Sequence, residues 1–279
     1  MKPMLCHSIK EEDIGSWFGK ENYQANIKYD GERIMAVVED GKVTLVNRKG
    51  NIKTDFYPEV AQSLEGSIDC VLDGEVISLG DDFPRLLKRA LTQDKNKRLA
   101  LQKEIPVKFM VFDVIQWKPL GSLVDYTLKE RVQTLDIIER SLPDVLIDMH
   151  RAIEFVKYGD IQETYRQAMK EDREGIIVKD MESKYDVSNP TNSVRSHSWL
   201  KCKFFKKTTL TLKKYERNNA GIRCEDNDGN VVQVSGLQHQ KVRDQIDNEG
   251  ECKVEVQYLE MTQKGRLRNP SYVGLQNEI

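Results

Sequence analysis

The chain of 279 residues is about twice the length of a typical domain, so two domains are expected. Hydrophobic residues at 39%, charged residues at 32% and a mean hydropathy of -0.59 describe a soluble globular protein, and no apolar run approaches the roughly 18 residues of a membrane span. The opening MKPMLCHSIKEEDIGSWF lacks the apolar core of a signal peptide, which excludes membrane and secretory classes, while the net charge of -2 is silent about nucleic acid.

In chain order, Ser8 with Glu11 forms a capping-box pattern that predicts a helix start. Period-two alternation predicts strands over 23–28, 34–39, 42–47 and 71–78, and residues 83–104 read as one strongly basic helix. A strand follows over 107–116, then helices behind the boxes Thr127 with Glu130 and Asp160 with Glu163, and strands over 175–179 and 198–204. Residues 181–198 (MESKYDVSNPTNSVRSHS) read as a long loop, a kind more often functional than idle. After about residue 207 the pattern changes to TTLTLKKYE, a hairpin around Asp228-Gly229, a helix over 237–248 and the strand CKVEVQYLEM. The whole predicts an α+β fold with mostly antiparallel sheets, followed by a small Greek-key barrel such as an OB-fold.

Cys6, Cys70, Cys202, Cys224 and Cys252 are odd in number and widely spaced, with no CxxC, so neither a disulfide framework nor a structural zinc site is expected and a cytoplasmic setting fits. From Arg195 to Arg217 eight basic residues face one acid, Glu216, so this stretch carries about +7 at neutral pH.

In YQANIKYDGER, alternation puts Tyr23, Ala25 and Ile27 on one face and Gln24, Asn26 and Lys28 on the other, and Asp30-Gly31 permits a turn that returns Arg33 near the lysine. A solvated surface lysine is the usual outcome, but four fixed positions in six are rarely met by chance. In CVLDGEVI, Asp73 and Glu75 share a face with Val71 and Ile77; carboxylates on an apolar strand need a partner, and a hard cation is one. EGIIVKD offers Glu174 at the mouth of another apolar strand, and Phe112 in VKFMVFDVI is either core, the commoner fate, or a stacking platform. In SWLKCKFF, Lys201 and Lys203 point to one side and repel unless they share an anion, for which phosphate is the natural choice and a lysine-protected strand edge the alternative.

The ordered set KYDGER, VLDGEVI, FMVFDVI, EGIIVKD and WLKCK resembles the motifs of the covalent nucleotidyltransferase superfamily, and in detail the small phage-type ATP-dependent DNA ligases. LVNRKG, KPLGSLVDYTLKERVQTL and YLEMTQKGRLRNPSYVGL are similar to connecting and terminal stretches of such ligases. The resemblance implies a nucleotidyltransferase (adenylation) domain over 1–207 and an OB-fold domain over 208–279. It also implies that Lys28 attacks the α-phosphate of ATP to give lysyl-AMP, with Asn26 and Ile27 beside the base, Phe112 stacked on adenine and Arg33 and Arg48 on the ribose or the nick phosphate. Glu75 and Glu174 would meet the ribose and Mg²⁺ or Mn²⁺, and Lys201 and Lys203 the phosphates. AMP then passes to the 5′-phosphate of a nick and the 3′-OH displaces it. The implied partner is nicked duplex DNA, met by Arg33, Arg48, Arg195, Lys206, Lys207, Lys213 and Lys214 on a cytoplasmic monomer.

Two positions depart from the family. Its last motif usually ends in an Arg-x-Asp-Lys element where this chain reads Gln276-Asn277-Glu278-Ile279, so slow self-adenylation is expected; and Asn26 stands where many ligases carry Glu. The alternatives are an RNA ligase or guanylyltransferase of the same superfamily, and a nick-binding protein that has lost catalysis.

Overall fold

The computed structural model describes residues 2–80, 82–147, 150–187, 195–262 and 265–276. It divides into two units, Met1–Lys203 and Phe204–Ile279. The first unit runs β1 (Leu5–Ile9), β2 (Tyr23–Ile27), β3 (Glu32–Glu39), β4 (Lys42–Asn47), α1 (Pro58–Leu64), β5 (Cys70–Ser78), α2 (Phe83–Leu91), α3 (Lys95–Glu104), β6 (Val107–Trp117), β7 (Gly121–Ser122), α4 (Leu128–Ser141), β8 (Ile153–Phe155), α5 (Ile161–Lys170), β9 (Gly175–Asp180) and β10 (Arg195–Lys203). These strands form two sheets, one in the order β1-β10-β9-β2 and one in the order β4-β3-β5-β6-β7 with β8 also on β6; only β1 with β10 and β6 with β8 pair in parallel.

Period-two alternation decides what each sheet faces. On β3, Ile34, Ala36 and Val38 join Leu45, Leu72, Phe109, Leu135 and Ile138 in a core under α1, α2 and α4. Met35, from the opposite face, joins Ile77, Met110, Phe112, Tyr185 and Trp199 in a second core that contains residues of both sheets. Ala25 turns to the α5 side, whereas Asn26 takes the other face and is buried, so the polar face of β2 is closed at Asn26 and open to solvent at Gln24.

Two motif glycines are fixed by close approach. A Cβ on Gly31 would lie 2.1 Å from the Val76 carbonyl oxygen, and Gly175, at φ +152°, would meet the Cys202 oxygen at 2.0 Å. Glycine at these points lets the strand carrying each neighbouring charged residue dock against the next one.

The second unit runs β11 (Lys206–Asn218), β12 (Gly221–Asp226), β13 (Val231–Val234), α6 (Gln238–Glu249), β14 (Cys252–Tyr258) and β15 (Ser271–Leu275). Its antiparallel order β13-β12-β11-β14-β15, with the edge strands β13 and β15 in contact and α6 between β13 and β14, is the connectivity of a five-stranded Greek-key barrel of the OB type. Leu212, Ile222, Val232, Val242 and Val254 fill it.

Four expectations change. Ser8 belongs to β1, opposite Lys201, so it caps no helix; the 3-10 segment Glu11–Trp17 follows Lys10, whose side chain makes no cap. Residues 83–104 form two helices, because Asp94 accepts the Lys97 N–H and starts α3 afresh. The expected boundary at 207 falls inside β11: Lys203 still pairs with Gly175 and Lys206 already with Tyr258, so the chain changes units at Phe204. Of the expected loop over 181–198, residues 188–194 lie outside the described residues, while Arg195–Ser198 belongs to β10 and Tyr185 is buried. Asn277, Glu278 and Ile279 of the C-terminal expectation also lie outside the described residues.

Candidate active site

A cavity of about 220 Å³ opens between the two sheets of the first unit, and Asn26, Ile27, Lys28, Arg33, Arg48, Glu75, Phe112, Arg195 and Lys201 all line it. The register explains the convergence. Asn26 and Lys201 both lie opposite Ile177 on β9, and Trp199 lies opposite Lys179, so one face of this sheet presents these side chains together. From the facing sheet, Arg33 pairs with Glu75 across β3 and β5, and Glu75 with Met110 across β5 and β6.

Lys28 follows the last residue of β2, and its main-chain N–H donates to the Gly175 carbonyl at 2.9 Å. Its ammonium is hydrogen-bonded to Glu174 Oε2, and Lys203 holds Glu174 Oε1 at 2.7 Å. One carboxylate thus bridges two lysines; Glu174 and Lys203 adjoin Lys28 in this way. Burial alone would raise the Glu174 carboxyl, but the two ammonium groups outweigh it and hold it below the usual range. The anion expected between Lys201 and Lys203 is therefore, for Lys203, a side chain of the protein. Burial, then Arg195 and Lys203, lower the Lys201 ammonium from its ordinary value.

Asp73 and Glu75 separate into two environments. Asp73 is fully buried; the Arg33 guanidinium grips it with bonds of 2.5 and 2.6 Å and the Tyr185 hydroxyl donates to it at 2.7 Å. The cation expected beside Asp73 is thus Arg33, which also lies 4.5 Å over the Phe112 ring. Glu75 keeps a carboxyl pushed up to about 7, chiefly by burial, with Arg33 and Lys28 opposing and Glu174 adding to the rise. Phe112 is 7% exposed in the core between the sheets and also forms part of the cavity wall.

Arg195 donates to the Cys6 carbonyl at 2.8 Å on the cavity wall, and Arg48 lines the cavity from an exposed position. Lys206, Lys207, Lys213 and Lys214 lie on β11 in the second unit, where Glu255 pairs with Lys207 at 2.8 Å and Glu251 with Lys213 at 3.6 Å. The basic stretch 195–217 is therefore divided between a cavity and a barrel strand. Sequence reasoning passed over Ile177, Trp199 and Lys179, which also line the cavity. Lys179 carried a signal, since it shares the parity of Ile177 and follows the apolar run Ile176–Val178.

Asn26 is 3% exposed; its Nδ2 donates to the Ile27 carbonyl at 2.7 Å and its Oδ1 has no partner among the described residues. Six cations, one carboxylate, an aromatic wall and an unfilled acceptor suit an anionic ligand with an aromatic head that donates a hydrogen bond.

Comparison with known proteins matches residues 3–203 to the family model of the ATP dependent DNA ligase domain. The SPbeta prophage-derived DNA ligase-like protein LigB of Bacillus subtilis is 27% identical over 98% of this chain and 97% of its own length. A DNA ligase of Methanothrix thermoacetophila is 30% identical over 63% of this chain but only 31% of its own length, so the chain spans about a third of that curated relative. Among solved structures, a Lig E DNA ligase described as binding DNA with a minimal scaffold superposes with a TM-score of 0.68 at 16% identity, covering 99% of both chains. The mycobacterial DNA ligase D complexed with ATP and MES gives 0.57 at 19% identity, covering 99% of this chain and 95% of that one, a likeness of fold.

Proposed function

Because the chain belongs to the ATP-dependent DNA ligase domain family, we propose that it seals 5′-phosphate/3′-OH nicks in duplex DNA by way of an adenylate on Lys28. The nucleotidyltransferase role falls to the first unit and the OB-fold role to the second. The observation that carries the reading is the Lys28 ammonium, held by Glu174, in a cavity whose wall also carries Arg33, Arg48, Arg195 and Lys201.

In the first step the Lys28 Nζ, once free of its proton and of Glu174, attacks the α-phosphorus. A P–N bond forms, the bond from that phosphorus to the bridging oxygen breaks, and pyrophosphate leaves with the electron pair. Arg48, Arg195 and Lys201, on the cavity wall, offset charge that builds on the phosphate oxygens. Phe112 and Ile177 offer apolar contact to the base, and Asn26 Oδ1 accepts from its amino group. A 5′-phosphate oxygen then attacks the phosphorus of the lysyl adenylate, a P–O bond forms as the P–N bond breaks and Lys28 leaves as its amine; the 3′-OH finally attacks the 5′-phosphorus and AMP leaves as the new phosphodiester forms.

The carboxylates fit a divalent cation. Glu75 is buried, which raises its carboxyl against the opposing pull of Arg33 and Lys28, and Glu174 is already a bridge between two cations. Two hard oxygen donors are enough for Mg²⁺, which keeps waters and phosphate oxygens for the rest of its shell. When bound, the ion would neutralise charge on the transferring phosphate. The reading takes the protein as a cytoplasmic monomer, in keeping with five cysteines that form no disulfide.

Intact-mass measurement after incubation with ATP and Mg²⁺ tests this function. One adenylate per chain is expected, with none on Lys28→Ala, together with sealing of a nicked duplex. A full adduct on the variant, or no sealing by the wild type, would overturn the assignment.

A further inference from the structure

Lys179 is a buried cation that the mechanism above does not use. It is the next-to-last residue of β9, 1% exposed. Its ammonium lies 3.8 Å from the ring centroid of Trp199, 4.5 Å from that of Phe112 and 4.9 Å from that of Tyr158, and donates to the Tyr158 hydroxyl at 2.7 Å. That hydroxyl donates onward to the main-chain carbonyl of Phe112 at 2.6 Å. Lys179 makes no ion pair among the described residues: Asp113 on β6 is taken by Arg131 at 2.8 and 2.9 Å, and Asp73 on β5 by Arg33. Burying an ammonium without a carboxylate is expensive, and a methionine would fill the same volume without that penalty. What the ammonium supplies is a cation–π hold on three rings and a hydrogen-bonded link to the backbone of Phe112.

We propose that Lys179 is a positioning residue for the nucleobase: through the Tyr158 hydroxyl and the aromatic box it fixes Phe112, the wall on which the adenine stacks. The inference rests on the reading of the cavity as an ATP pocket. Its effect belongs to nucleotide binding and not to phosphoryl transfer, because the ammonium points into the box.

The hold depends on pH. Burial pushes the Lys179 ammonium down to about 7 against the pull of Asp113 and Cys6; Arg33 adds to the push and Asp73 opposes it. The remaining titratable groups of the box, Tyr158 and Tyr185, are raised well above the ordinary tyrosine range by burial and stay neutral. The polyphosphate of an entering nucleotide favours the ammonium, so binding takes up a proton at this residue above neutrality. As the pH rises further the box loses its cation and the wall loosens.

The test is the KM for ATP and the kcat of lysyl-adenylate formation in Lys179→Met and Tyr158→Phe between about pH 6 and pH 9. Lys179→Met is expected to raise KM about tenfold near pH 6.5 with kcat within about twofold, and the ratio of variant to wild-type KM should shrink toward one at about pH 9. Comparing the two proteins at each pH cancels the titration of the nucleotide itself. Tyr158→Phe keeps the ring but cuts the link to Phe112, and should raise KM several-fold, so the inference stays testable if the methionine variant fails to fold. A loss confined to kcat, an unchanged KM in both variants, or a KM ratio independent of pH would overturn it. Absence of any adenylate on the wild-type chain would instead overturn the ATP reading, and this inference with it.

Discussion

The amide of Asn26 is anchored at one end. Its Nδ2 is held by the Ile27 carbonyl, so the side chain cannot turn over without losing that bond, and Oδ1 remains an acceptor on the cavity wall. A free amide can turn to donate or accept and so suit either purine; the anchored amide accepts only, as a glutamate would. A buried acceptor left unfilled costs about 1–3 kcal/mol, and the adenine amino group relieves that cost where the guanine carbonyl cannot. Asn26→Ala should therefore reduce the preference for ATP over GTP in lysyl-nucleotide formation by about 1–3 kcal/mol, and an unchanged ratio would mean that another group reads the base. Lys179 makes a second prediction at this scale, on stability. Its folded-state value, lowered to about 7, lies below the ordinary lysine value of 10.5, so between the two the unfolded chain binds more protons. Stability from this group is then full above the ordinary value and is lost as the pH falls toward 7. In urea titrations the wild type should gain stability as the pH rises through that window, and Lys179→Met should show less of the gain; parallel curves would rule it out.

Among elements, the ion pair of Glu59 and Arg89 ties α1 to α2. Both side chains are at most 2% exposed, the two bonds between them are 2.7 Å long, and Arg89 also donates to the carbonyls of Phe56 and Ile105. Removing one partner leaves a buried charge alone, so Glu59→Ala should destabilise the first unit by about 3–5 kcal/mol. A loss below about 1 kcal/mol in denaturant titration would show that the guanidinium finds other compensation. This pair marks the limit of what the sequence disclosed. The strands were legible because alternation is local: 42–47 was found to the residue, and β3, β5, β6 and β9 to within two or three. The Thr127 capping box was legible for the same reason, being four residues long with both reciprocal bonds present. The partner of Arg89 lies thirty residues away and that of Arg33 forty, and neither spacing has a period to read. The cavity followed the same division. Trp199 and Lys179 stand inside the motifs WLKCK and EGIIVKD, yet only the pairing of β9 with β10 brings them together on the cavity. Ser8 was misread because a capping box is also an ordinary strand sequence, and the parallel neighbour that decides between them is almost two hundred residues away.

At the scale of the whole molecule, a net charge of -2 gives no general attraction for DNA, so affinity for a polyanion must come from cations left uncommitted within the fold. The sequence offered 195–217 as one basic track of about +7, each residue equivalent. The structure makes them unequal. Lys203 is bound to Glu174, Lys207 to Glu255 and Lys213 to Glu251, whereas Lys214 makes no ion pair among the described residues and Arg48 stands exposed on the cavity wall. A lysine without a carboxylate partner is screened by mobile ions, which a phosphate displaces, and each such displacement steepens the dependence of binding on salt. A lysine already paired must first give up its carboxylate, so its contact with DNA releases less. The logarithm of the binding constant for a nicked duplex should fall linearly with the logarithm of salt concentration. Lys214→Ala should flatten that line by roughly one unit, and Lys207→Ala by clearly less. Equal changes in slope for the two variants would mean that the Glu255 pair opens freely when DNA arrives. A wild-type constant insensitive to salt would mean that the DNA is held by something other than these charges.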